Sequence, residues 1–254
     1  MPEFSADGGG ISAETEGTGE PVLLLHAAVT DRRVWDPVVP GLVEAGLRAV
    51  RFDRRGYGRS PRPDRPHSVV TDALLVLDAA GVDSAHFVGL SQGAAIAVDV
   101  ALAAPDRVRS LTLVAPGISG HRWPQLPGHQ RRLAAAEAGD GHRLAVEIAR
   151  LWAPRSFPAG DDFAARLVLD QAEKFMRDSR EIDEPSPVPR LGEIAVPTTI
   201  VLGADDIEEI AKIGRTLADG VPHARLTVLA DCDHIVPVRQ PERLVGLILS
   251  SART

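Results

Sequence analysis

Residues 85–104 read Ala85-His86-Phe87-Val88-Gly89-Leu90-Ser91-Gln92-Gly93-Ala94-Ala95-Ile96-Ala97-Val98-Asp99-Val100-Ala101-Leu102-Ala103-Ala104. The run to Leu90 is short and almost uniformly apolar, which predicts a buried parallel strand rather than a surface helix. The Ala-rich run after Gly93 has strong helix propensity. Between them stands Gly89-Leu90-Ser91-Gln92-Gly93, a G-x-S-x-G pentapeptide. Such a pentapeptide alone is common, but placed between a strand and a helix it reads as a nucleophile elbow. There a serine is forced onto a tight turn, and the flanking glycines admit backbone that a Cβ would obstruct. The Ser91 hydroxyl then projects from the sheet, beside the positive end and free N–H groups of a helix N-terminus.

On either side the chain alternates in the same way. Ile11–Glu16 and the turn Gly17-Thr18-Gly19 read as part of a hairpin within residues 1–20. Strands are predicted at 22–25, ending at His26, at 49–52, ending at Asp53, and at 111–115; helices are predicted at 36–45 and 69–80, the second closed by Gly81. After residue 190 come a strand at 198–202, a helix at 208–217, a strand at 225–229 and a helix at 241–251 with Pro241 in its first turn. Short apolar strands separated by helices imply a mainly parallel α/β sheet covered on both faces. From 118 to 190 the alternation stops. That stretch holds Trp123, Trp152, Phe157, Phe163, Phe175 and Met176 and leaves through Pro185, Pro187 and Pro189. The expected organisation is one α/β core domain over 1–117 and 191–254, with a helical cap over 118–190 inserted after the sixth strand.

Composition narrows the function. Of 254 residues, 44% are apolar and 25% charged, which is globular and excludes general disorder. A net charge of −7 without any basic run gives no footprint for nucleic acid. No apolar stretch reaches the roughly 18 residues of a membrane span, and the first ten residues lack the basic and apolar regions of a signal peptide. Cys232 is the single cysteine, so no intrachain disulfide can form. A cytoplasmic protein acting on a small molecule is expected, monomeric or homodimeric, with no nucleic-acid or membrane partner and no cofactor. The carboxylate-rich spots Asp161-Asp162, Asp205-Asp206 and Glu208-Glu209 lack His at metal-ligand spacing, so no metal site is expected.

A free serine hydroxyl is a poor nucleophile and needs a base. Open α/β sheets build their sites at the C-terminal edge of the strands, and His234 follows the last strand there. His67 and His86 lie away from that position, His121, His129 and His142 fall in the predicted cap, and His223 sits at the opposite end of the sheet. The base needs an orienting carboxylate; Asp205 and Asp206 follow the strand at 198–202 at the same edge. Asp231 and Asp233 are closer to His234 along the chain and read as solvated or turn-capping residues. Asp53 and Arg55 read as local braces of the Gly56-Tyr57-Gly58 loop. Cys232 is not needed as a nucleophile.

These residues resemble those of the α/β-hydrolases over almost the full chain. The resemblance is carried by Leu24-Leu25-His26, Asp53-Arg54-Arg55-Gly56-Tyr57-Gly58-Arg59-Ser60, Gly89-Leu90-Ser91-Gln92-Gly93, Gly203-Ala204-Asp205-Asp206 and Asp233-His234. It implies an eight-stranded sheet and a Ser91, Asp206, His234 triad, with Asp205 as second choice for the acid. It also implies an oxyanion hole formed by the backbone N–H groups of Gln92 and Ala28. The family usually has His-Gly where this chain has His26-Ala27; Gly tolerates positive φ and Ala tolerates it poorly, so either the loop has ordinary dihedrals or the donor is displaced. His26 reads as a brace of this loop. The implied activity is hydrolysis of a small or medium ester or lactone through an acyl-enzyme, as in carboxylesterases and enol-lactone hydrolases. Trp123 and Trp152 are the expected substrate-binding residues, and Phe157, Phe163 and Met176 suit either an apolar pocket or the packing of the cap. Carbon–carbon bond hydrolases, cofactor-free perhydrolases and hydrolase-derived ligand sensors share the constellation and stay open. Ser91 disfavours the relatives that use Asp as nucleophile.

Overall fold

The computed structural model describes residues 3–7, 10–157, 162–171 and 180–253. Phe175, Met176 and Asp161 lie outside them. The chain begins with β1 (Glu3–Ala6), β2 (Ile11–Glu16), β3 (Glu20–Leu25), α1 (Val39–Glu44), β4 (Leu47–Phe52), α2 (Val69–Ala79), β5 (Ala85–Leu90), α3 (Gln92–Ala103) and β6 (Val108–Val114). After β6 come α4 (His129–Glu137), α5 (Gly141–Trp152) and α6 (Phe163–Asp170). The chain then returns to the sheet with β7 (Thr198–Gly203), α7 (Glu208–Gly220), β8 (Arg225–Leu229), α8 (Val236–Arg239) and α9 (Pro241–Ala252).

The eight strands form one sheet in the order β1-β2-β4-β3-β5-β6-β7-β8. β2 pairs antiparallel with both neighbours and so opposes the other strands, which run parallel. The elbow strand β5 lies between β3 and β6, buried at every residue. Strand alternation sends Val22 and Leu24 of β3 to one core and Leu23 and Leu25 to the other. The first core packs against α1, α9 and the helices inserted after β6, through Leu42, Leu244, Leu144 and Leu167. The second packs against α2, α3 and α7, through Leu77, Ile96 and Ile213. Among the described residues, no helix is long and apolar enough to cross a membrane.

The helix expected over 36–45 is corrected. The segment forms a 3₁₀ turn at Arg32–Trp35 and then the six-residue α1, with Pro in the first turn of α1. Pro37 and Pro40 cannot donate backbone hydrogen bonds, so one continuous helix is excluded; Pro37 falls in the turn between the two segments and Pro40 in the first turn of α1. Arg55 is corrected too. Its guanidinium leaves the glycine loop and pairs with Asp72 at 2.9 Å and with Asp7 at 2.7 Å, tying α2 to the start of the chain. Asp53 does brace the loop, accepting from Arg59 N at 2.8 Å, but it also holds Arg32 N at 2.9 Å and the Arg32 guanidinium.

Candidate active site

Ser91 stands between β5 and α3 with φ 55° and ψ −112°, a backbone position that costs a non-glycine residue about 1–3 kcal/mol. Its surroundings hold it there. Ser91 N donates to Val114 O at 2.9 Å, and Ser91 O accepts from Ala94 N and from Gly117 N, each at 2.9 Å. The flanking glycines are required by close approach: a Cβ on Gly89 would stand 2.2 Å from Gly93 O, and one on Gly93 2.1 Å from Leu25 O. The strand, the tight turn and the helix start therefore lock together around one hydroxyl.

His234 follows β8 and Asp206 follows β7, so the pairing of those two strands brings the residues together. His234 Nδ1 lies 2.7 Å from Asp206 Oδ2, and both side chains are buried. The other oxygen, Oδ1, accepts from Ile207 N at 2.8 Å, which aims the carboxylate. A proton on Nδ1 bonded to Asp206 leaves Nε2 as the basic nitrogen. Ser91 and His234 line the same cavity, of about 660 Å³. Asp205 turns away and pairs with Arg155 at 2.5 Å near the surface.

Asp231 is exposed; Asp233 caps its turn as expected, through Ile235 N, but the alternative that it is solvated is corrected. Asp233 is fully buried, pairs with Arg239 at 3.0 Å and accepts from Ile235 N and Arg155 N at 3.2 Å. It anchors the loop that carries His234. The buried Cys232 thiol beside it is pushed up to about 12, first by burial and then by the Asp233 charge, and so is not a nucleophile.

The loop after β3 has ordinary dihedrals: Ala27 and Ala28 are not among the residues with positive φ. His26 braces it. Its Nε2 accepts from Arg54 N at 3.0 Å, so Nδ1 carries the proton and donates to Ala27 O at 2.7 Å. Ala28 and Gln92 both line the cavity beside Ser91.

Trp152, at the end of α5, and Trp123 form the apolar wall, edge to face with centroids 6.2 Å apart. Phe157 and Phe163 do not line the cavity; they pack against the core beneath α1 and α9, because the inserted helices need an apolar underside of their own. Several lining groups escaped the sequence reading, His121 and Glu181 among them. His121, set aside within the cap, lies on the wall with Nε2 3.0 Å from Glu209 Oε1; its place just after the sixth strand, at the C-terminal edge, was the available signal. Glu181 also lines the cavity, and its Pro-rich surroundings carry no signal for it. Among the described residues, no three His, Cys, Asp or Glu side chains gather as metal ligands.

Residues 20–240 match the family model described as the alpha/beta hydrolase fold. The chain is 32% identical to rhodomycin D methylesterase DauP of a Streptomyces species, over 94% of each protein. It is 30% identical to the putative carbamate hydrolase RutD of Azorhizobium caulinodans, over 89% of this chain and 88% of that one. Among solved structures, the enol-lactonase from Burkholderia xenovorans superposes with a TM-score of 0.81 over the whole of both chains, at 22% identity, which speaks to the fold alone. With the sheet order, the strained serine turn and this match over most of its length, the chain belongs to the α/β-hydrolase family.

Proposed function

We propose that this protein is a serine hydrolase that cleaves a small or medium, uncharged carboxylic ester or lactone through an acyl-enzyme. The observation that carries this reading is the strained Ser91 sharing a cavity with His234, whose Nδ1 is bonded to the buried Asp206. His234 Nε2 takes the Ser91 hydroxyl proton as Oγ attacks the carbonyl carbon. The carbonyl oxygen becomes an oxyanion held by the N–H groups of Gln92 and Ala28. Collapse expels the alcohol, which leaves with the proton from His234. Water then attacks the acyl-enzyme, giving its proton to His234, and the acid departs as that proton returns to Ser91. Asp206 holds the imidazole in its tautomer and offsets the positive charge it carries in between.

The cavity walls bear on the substrate. The described lining residues include Trp123, Trp152, Val69, Ile96 and Ile118 but no Lys or Arg, while Asp183 and Glu184 bring negative charge. Such walls suit an uncharged acyl or alcohol group and repel a carboxylate-bearing one. The helices inserted after β6 serve as a cap that shapes this space. Similarity to a methylesterase over almost the whole chain supports ester cleavage.

A panel of esters and lactones of graded acyl length, assayed with the native protein and with Ser91→Ala, tests the reading. Multiple turnovers and phosphonate labelling are expected for the native protein and neither for the variant. Labelling that persists in Ser91→Ala overturns the nucleophile assignment. A single bound equivalent without turnover overturns hydrolysis in favour of ligand capture.

A further inference from the structure

We infer that Glu181 is a positioning residue that couples the segment at the cavity mouth to both arms of the oxyanion hole; this rests on the serine-hydrolase reading above. Residues 180–184 run beside the start of α2 and are pinned to it. His67 N donates to Arg180 O at 3.1 Å and Ile182 N donates to His67 O at 2.8 Å, a parallel bridge that sets Glu181 opposite His67. Glu181 and Ile182 both line the cavity; Ile182 is 51% exposed, while the Glu181 side chain is largely buried.

Each Glu181 oxygen takes a different bond. Oε2 accepts from Gln92 Nε2 at 2.7 Å, and Oε1 accepts from Arg54 Nη1 at 2.9 Å. The first bond restrains the residue whose own N–H is one arm of the hole. The second reaches the other arm by a longer route. Arg54 is buried, its guanidinium lies 4.5 Å from the centre of the Tyr57 ring, and its backbone N–H bonds to His26 Nε2 at 3.0 Å. His26 in turn donates to Ala27 O at 2.7 Å. Ala27 C=O and Ala28 N–H belong to one planar peptide and point in opposite directions, so fixing the oxygen fixes where the Ala28 N–H is aimed. The buried Arg54 cation also requires a negative partner, which makes a carboxylate, rather than a neutral acceptor, the fitting group at 181.

The test compares native protein, Glu181→Ala, Glu181→Gln, Gln92→Ala and the Glu181→Ala/Gln92→Ala double variant. Turnover of a chromogenic ester is expressed per active site titrated with a phosphonate, so that unfolded protein is not counted. Loss of a correctly aimed donor predicts a fall in kcat on the order of 100-fold for Glu181→Ala, with KM little changed. Affinity for a trifluoromethyl ketone, whose adduct carries the oxyanion, falls in parallel. Glu181→Gln, which keeps an acceptor for Gln92 but no charge for Arg54, falls less. It carries the comparison if Glu181→Ala does not fold. The Glu181→Ala effect is smaller in the Gln92→Ala background, because one of its two routes is already cut. A kcat per titrated site within threefold of native, a loss borne by KM alone, or an undiminished effect in the Gln92→Ala background overturns the inference. A native protein that neither hydrolyses any ester nor labels at Ser91 overturns the functional reading itself, whereas an active native protein with indifferent Glu181 variants overturns this inference only.

Discussion

The indole of Trp152 lies against the imidazole of His234, with ring centroids 4.4 Å apart and planes inclined by 44°. Trp152 is the last residue of α5, so a helix of the inserted segment touches the group read as the general base. The contact covers one face of the ring and limits its rotation about the bond to Asp206. Trp152→Ala is expected to lower kcat/KM for a short-chain ester by about 10-fold, the scale of a misaligned base. Trp152→Phe is expected to retain most activity. Steady-state kinetics on the two variants check this, and equal losses in both would show that the ring contact is immaterial.

The adjacent carboxylates Asp205 and Asp206 make opposite predictions. Asp206 is bonded to His234 Nδ1, and Asp205 to Arg155 near the surface. Asp206→Asn presents the wrong donor pattern to the imidazole and is expected to lower kcat by a factor on the order of 10⁴. Asp205→Asn loses a half-exposed ion pair, worth no more than about 1 kcal/mol of stability, and leaves kcat within a few fold. Parallel kinetics and thermal melts of the two variants decide between them, and a larger kcat loss at 205 would move the acid to that residue.

Asp99 gives a pH-dependent stability. It is buried on α3, and burial raises its carboxyl to about 6 from an ordinary value of 3.8, with the hydrogen bond from Ser119 Oγ at 2.5 Å opposing the rise. A pKa raised in the folded state means that folding favours the protonated form. The contribution of Asp99 is therefore most favourable below about pH 4 and is lost as pH rises through about 6. Asp99→Asn removes the buried charge and is expected to stabilise the protein at pH 8 by no more than about 3 kcal/mol. The gain should shrink toward zero near pH 4. Denaturant unfolding of both proteins across that range measures it, and a difference independent of pH would rule out the buried charge as its source.

Much of the site was legible because its parts obey local rules. Ser91 was marked by a strand, a pair of glycines and an Ala-rich helix, each readable within a few residues. Asp206 and His234 were marked by their place just after strands, since a parallel sheet gathers its strand ends on one edge. At two corrected positions a contact distant in sequence was the deciding one. Arg55 left its loop for Asp72 and Asp7, and Asp233 accepts from Arg155 N, 78 residues away along the chain. The aromatic residues at 157 and 163 are apolar enough for a pocket, but which surface they cover depends on how the inserted helices lie.

By itself the sequence determined the α/β alternation, the serine turn and the order in which the candidate residues Ser91, Asp206 and His234 stand along the chain. Those follow from backbone hydrogen bonding and side-chain periodicity over short spans. Only the tertiary structure decided that Asp206 rather than Asp205 faces His234, and that Ala27 and Ala28 keep ordinary dihedrals. It also decided that Glu181 bridges Arg54 and Gln92, groups 127 and 89 residues away along the chain. Such meetings depend on the order of strands in the sheet and on the path of a segment across its edge, which no local pattern of residues encodes.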